Sequence, residues 1–144
     1  MRPPVGRAVL GGLVGTIAMT MMMYWVGPLM GLMKMDIAGG LGGMLGIGWA
    51  GGMVVHFMNG TLIFPGIYAG LFSAVLPGSP LLKGLLWGAI LWLLAQLIVM
   101  PMLGGGVFSA NMGGAMAAMG SLGGHLVYGG LLGGIAGNAR APRG

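Results

Sequence analysis

Residues 82–103 read LKGLLWGAILWLLAQLIVMPML, with one charge, Lys83, near the start and one amide, Gln96, in the body. A helix needs roughly 20 mostly apolar residues to cross the hydrocarbon core of a bilayer, and this stretch meets that length. The turn Pro77-Gly78-Ser79-Pro80 breaks the chain just before it. Further apolar runs lie on either side, at 8–27, 49–76 and 114–136. Four spans of this kind predict an all-α integral membrane protein, a bundle of four transmembrane helices forming one domain over 1–144. Pro65 falls inside 49–76 and predicts a kink there. The connections 28–48 and 104–113 are rich in glycine and methionine and are expected at the membrane interface.

The composition agrees. Apolar residues make up 57% of the chain and charged residues 5%, against about 25% charged in a soluble domain. The mean hydropathy is +0.98. A surface with so little charge calls for lipid around it. The net charge of +5 does not point to nucleic acid, because its six basic residues are scattered at the ends of apolar runs. With no cysteine there is no disulfide, thiolate metal site or cysteine nucleophile. The 34 glycines lie inside apolar stretches without a triplet period, a pattern that suits close helix packing in lipid. Arg2 and Arg7 ahead of an apolar run resemble a signal peptide. That run is longer than a signal's apolar core and no small-residue cleavage site follows, so it is read as a retained first span.

Basic residues set the orientation. Arg2, Arg7, Lys83, Arg140 and Arg143 fall on one side of an even number of spans, and Lys34 falls on the other beside Asp36, the one acid. Both termini are therefore expected in the cytoplasm. Trp25 and Trp49 would mark the outer interface and Trp87 the inner one.

The second and fourth spans repeat a pattern. His56-Phe57-Met58-Asn59-Gly60 and His125-Leu126-Val127-Tyr128-Gly129 both read H-x-x-x-G. In steps of four, one helix face, the second span gives Gly48, Gly52, His56 and Gly60, and the fourth gives Ala117, Ser121, His125 and Gly129. Arg7 and Thr20 align with Lys83 and Gln96 in the odd spans. A duplicated helical hairpin accounts for this, with its halves related by a pseudo-twofold axis along the membrane normal. His56 and His125 would then face each other across that axis at one depth.

These are the chain's two histidines, and an ionisable residue inside the membrane marks a functional site by default. Three readings stand side by side. In the structural one, each neutral imidazole bonds a partner such as Thr20, Asn59, Gln96, Ser121 or Tyr128. In the second, His56 and His125 are axial ligands of a haem b, with Gly52, Gly60, Ser121 and Gly129 leaving flat walls for the porphyrin. Adjacent helices pack 8–10 Å apart and leave no room for that ring, so the two spans would have to be diagonal. In the third, the site handles copper. The methionines crowd the outer halves and outer loops, and thioether with imidazole suits Cu(I). His56, His125, Met58 and Met119 would be the ligands. Methionine as adaptable filler is the plain alternative.

Nothing resembles a soluble enzyme's site: no carboxylate pair, no nucleophile with its base. The glycine strings at 11–15 and 129–133 lie inside apolar spans, where packing explains them better than a nucleotide loop.

At His56-x-x-x-Gly60 and Gly124-His125-Leu126-Val127-Tyr128-Gly129, with Lys83-Gly84, Trp87 or Trp92, Pro101, Gly104, Gly106 and Phe108 between them, the chain resembles a group of small, uncharacterised four-helix bacterial membrane proteins. The likeness covers roughly residues 50–135. It implies association with respiratory oxidases and other electron-transfer proteins, but no activity.

The expectation is a non-enzymatic accessory subunit of a respiratory or photosynthetic electron-transfer complex, with room for a haem b between His56 and His125. Its partners would be the bilayer and other membrane subunits, met through glycine faces and the methionine-rich outer rim. The alternatives are a copper-handling protein delivering Cu(I) at the outer face, and a stand-alone stress- or pH-related membrane protein.

Overall fold

The computed structural model of the protein describes residues 2–138. Its framework is helical. Three helices are long and apolar enough to cross a membrane: α1 (Val5–Leu29), α3 (Gly48–Val75) and α4 (Pro80–Met102). Large apolar side chains on them stand open, among them Val54 at 64% and Ile98 at 52% exposure, as a lipid-facing surface requires. A fourth long helix, α5 (Gly114–Ala136), has 23 residues. Its length would suffice for a span, but its many glycines, a serine and His125 dilute its hydropathy, and it is not one of the three.

The connection 28–48, read above as interfacial loop, contains a short helix, α2 (Ile37–Leu45). Asp36 caps its start by accepting from the Gly39 N–H, and Gly46 ends it in a left-handed conformation at φ 68. A glycine supplies that conformation without the Cβ penalty. Ser79 caps α4 in the same manner, with Pro80 as its first residue.

Pro65 does not break α3. A five-residue π-turn, Asn59–Ile63, ends two residues before it. The same spacing recurs at Met22–Val26 before Pro28 and at Ala95–Val99 before Pro101. Proline has no N–H and its ring crowds the carbonyl four residues back. A wider turn at that point gives the displaced carbonyl room and keeps the helix running.

Helix α5 is the centre of the packing, lying along both α4 and α1, and α1 also packs against the middle of α3. Helices α3 and α4 meet mainly around Tyr68–Phe72 and the turn that joins them. The order around the bundle is therefore α3, α1, α5, α4, which makes α3 and α5 a diagonal pair. A strict twofold relation between two hairpins would make the α1–α5 and α3–α4 contacts alike. The first is a full seam and the second is confined to one end, so the packing does not carry that symmetry.

The seams are built from glycine. A Cβ on Gly84 would strike the Gly129 carbonyl, one on Gly88 the His125 carbonyl, and one on Gly133 the Pro80 carbonyl. On the other side, a Cβ on Gly11 or Gly15 would come within 2.9 Å of the Leu132 or Tyr128 carbonyl. In lipid the drive to associate comes from such backbone approach, because side-chain burial gains little there. Tyr68, Trp87, Leu91, Tyr128 and Leu132 fill the core beside these seams. Trp87 is thus no belt residue: it is 3% exposed and stacks on Phe72 with ring centroids 4.5 Å apart. At the same end two cations meet helix C-termini, whose carbonyls attract positive charge. Arg7 Nε donates to the Ile135 carbonyl at 2.9 Å and Lys83 Nζ to the Ser73 carbonyl at 2.6 Å.

Candidate functional site

Where α3 and α4 part, a cavity of about 560 Å³ opens in the opposite half of the bundle. All four long helices line it, and the segment Met33–Asp36 with the start of α2 forms its outer rim. Its walls are mostly apolar. The polar groups on them are Thr16, His56, Asn59, Gln96, Ser121, His125 and Tyr128, with Lys34 and Asp36 at the rim.

Both histidines therefore face one chamber from diagonal helices. Their hydrogen bonds fix which nitrogen each presents. The Thr20 hydroxyl has one proton and gives it to the Thr16 carbonyl at 2.6 Å. Its contact with His56 Nε2 at 3.0 Å must then run the other way, with Nε2–H donating. His125 Nδ1 lies 2.8 Å from the Ser121 carbonyl. A carbonyl can only accept, so Nδ1 carries the proton. The remaining nitrogens, His56 Nδ1 and His125 Nε2, have no hydrogen-bond partner among the described residues. As a neutral imidazole, each ring would be anchored by its one N–H and would have a lone pair on the other nitrogen. Metal-binding histidines are commonly held this way, with the far N–H fixed by a carbonyl or hydroxyl.

Two further groups shape the chamber. Tyr128 donates to the Gly60 carbonyl at 2.6 Å, a strut across the diagonal from α5 to α3. Gln96 is fully buried and its Oε1 accepts from Ser109 Oγ at 2.8 Å, while its amide N–H2 has no partner among the described residues. Ser109 reaches it from a loop where Phe108 and Ser109 hold φ of 50 and 56. Non-glycine residues adopt that region at a cost, here compensated by the buried bond.

The other sequence candidates divide. Gly60 and Ser121 line the chamber with the histidines. Gly52 does not: a Cβ there would strike the Ala38 carbonyl, so it seats α2 on α3. Gly129 is taken up by the seam with Gly84 and Gly88. A stripe in steps of four drifts about 40° per step around the helix, which carries these residues off the histidine's face. Met58 and Met119 are 46% and 60% exposed and lie outside the lining. Met19, Met23, Met33, Met35, Met100 and Met112 line it instead.

At the rim, sequence reading missed the part played by Asp36. The Tyr24 hydroxyl, the Gly39 N–H at 2.9 Å and the Trp49 indole N–H at 3.0 Å all donate to its Oδ1. One carboxylate thereby ties α1, α2 and α3 together. The bond from Tyr24 is the main influence that holds the Asp36 carboxyl below its ordinary range, against the opposing effect of partial burial. A lone acid placed among aromatic N–H and O–H donors was the available signal.

No curated protein and no solved structure matches the chain. A family model does match, over residues 3–143, and the chain belongs to that family, described as a family of unknown function (DUF6789).

Proposed function

We propose that the protein is a small, non-enzymatic subunit of a membrane electron-transfer complex, and that its bundle holds haem b between His56 and His125. The observation that carries this reading is that His56 and His125 line one chamber from diagonal helices, each with one ring nitrogen that has no hydrogen-bond partner among the described residues. Diagonal helices of a square bundle stand about 13 Å apart if neighbours are 8–10 Å apart, which leaves space for a porphyrin. The chamber's volume and its apolar walls suit a flat hydrophobic ring. Haem supplies one-electron chemistry when bound. The chain's own part is to ligate, to fix both ring orientations through Thr20 and the Ser121 carbonyl, and to exclude water.

In this reading all four long helices cross a bacterial inner membrane with both termini cytoplasmic. Arg7 and Lys83 lie together at one end of the bundle and Lys34 at the other, as a cytoplasmic excess of basic residues requires. Arg140 and Arg143, which add to that excess, lie outside the described residues. The glycine faces expected to meet a partner are spent inside the bundle. Gly66 and Gly70 on the outside of α3 meet nothing within 4 Å and would let a partner helix approach.

A second reading is Cu(I) binding, favoured by the six methionines that share the chamber with the two imidazoles. One experiment separates the two: metal analysis and a reduced-minus-oxidised absorption spectrum of the protein purified in mild detergent. Stoichiometric haem, lost in both His56→Ala and His125→Ala, supports the first reading. Stoichiometric copper without a Soret band, lost on replacing Met19 and Met100, supports the second. Neither metal in protein isolated from its native membrane overturns both.

A further inference from the structure

The chamber has two unlike ends. Its floor is closed by Tyr128, whose hydroxyl is committed to the Gly60 carbonyl. Its rim carries Lys34, the one cation among the residues that line it. The Lys34 ammonium sits over the Tyr24 ring, 5.1 Å from the centroid. A π-face attracts a cation but does not neutralise it.

Asp36 feels that charge at a distance but makes no direct ion pair with it among the described residues. Asp36 already accepts from Tyr24, Gly39 and Trp49 on one oxygen. The other cations with described contacts, Arg7 and Lys83, are engaged with helix carbonyls at the opposite end. A ligand with an anionic edge therefore finds one complementary group in this chamber, and finds it at the rim.

We propose that Lys34 is a positioning residue that receives the propionate edge of the bound haem, so that the macrocycle stands with its carboxylates toward the rim and its apolar edge toward Tyr128. This rests on the haem reading above. Ligation by the two histidines alone would leave the ring free to turn in its own plane, and a single cation at one end would remove that freedom. Both carboxylates near the rim also stay in contact with water, which spares the cost of burying them.

The test compares haem with its dimethyl ester, in which both propionates are neutral and the ring and iron are unchanged. Each is titrated into the full chain in detergent, and the low-spin absorption of the bis-imidazole complex is followed. The wild-type protein should prefer haem over the ester by on the order of tenfold at low salt, the size of one charge-assisted contact at a partly exposed site. The preference should shrink as ionic strength rises. Lys34→Gln should bind both forms with nearly equal affinity and an unchanged spectrum, and Lys34→Arg should restore most of the preference. Lys34 is exposed, so neither substitution disturbs the packing. An equal affinity of the wild type for the two forms, or a preference that survives in Lys34→Gln, overturns the assignment of Lys34 and leaves the haem reading standing. Absence of any low-spin complex with either form overturns the haem reading itself.

Discussion

The two halves of this bundle are made by different rules. At the end that holds Arg7, Lys83 and Trp87, the helices touch backbone to backbone: Gly84 and Gly88 against Gly129 and Gly133, Gly11 and Gly15 against Leu132 and Tyr128. At the other end the same helices carry methionine, histidine and glutamine, run through π-turns ahead of prolines, and enclose about 560 Å³ of space. Tyr128 marks the boundary, with its backbone in the seam and its hydroxyl across the chamber floor. The contrast teaches that a small membrane bundle can keep a large internal space at one end if the other end is zipped by contacts that leave no slack. Stability and binding should therefore be separable along the membrane normal.

Forcing the seam apart should have the largest effect. Gly129→Val places a branched side chain against the Gly84 carbonyl and Gly88, and it should cost about 3 kcal/mol or more. Unfolding in mixed detergent reads that loss as an earlier transition. An equally large loss from an alanine at Met112, a chamber residue that is 43% exposed, would show that the halves are not distinct.

Tyr128→Phe acts at the boundary and should be milder. It removes one buried hydrogen bond, worth about 1 kcal/mol, and leaves the ring in place. The same titration should show a small stability change, with exchange at the Gly60 turn of α3 faster than in the wild type.

The smallest effect belongs to the rim. The Asp36 carboxyl is held below its ordinary range by its donors, so its folded-state pKa is depressed. The stabilisation is then fully present above the unfolded aspartate pKa and is lost as pH falls through the folded value. Hydrogen exchange at the Gly39 amide should be constant near neutral pH and accelerate only in acid. Asp36→Asn should remove that acid dependence while the seam amides of α5 stay protected. Loss of protection in α5 at the same pH would mean that the rim and the seam open as one unit.

Much of the framework was legible in the sequence because apolar length is a strong signal. The runs at 8–27, 49–76, 82–103 and 114–136 correspond to Val5–Leu29, Gly48–Val75, Pro80–Met102 and Gly114–Ala136. Only the first three of these helices are apolar enough by composition to cross a membrane. The diagonal placement of His56 and His125 was anticipated, yet the symmetry invoked for it is not carried by the packing. What puts α3 across from α5 is that α5 lies between α1 and α4. Gly52 and Gly129 turn to other neighbours because one helix face turns with the 3.6-residue period, and a short stripe cannot say which neighbour it meets; Trp87 was placed by its nearness to the span end, which does not say whether its ring faces lipid or the core. The π-turns and the Asp36 clamp were hidden for a different reason. They depend on how proline and one carboxylate are accommodated by partners far away in the chain, which spacing alone does not encode.

If the chamber holds haem, His56 Nδ1 and His125 Nε2 would be the nitrogens that ligate its iron. Low-temperature electron paramagnetic resonance of the oxidised, haem-loaded protein tests it most directly. The wild type should give a low-spin ferric signal of two imidazole ligands, converted to a high-spin signal in His56→Ala and in His125→Ala alike. A low-spin signal that persists in either variant, or a high-spin signal in the wild type, would contradict it.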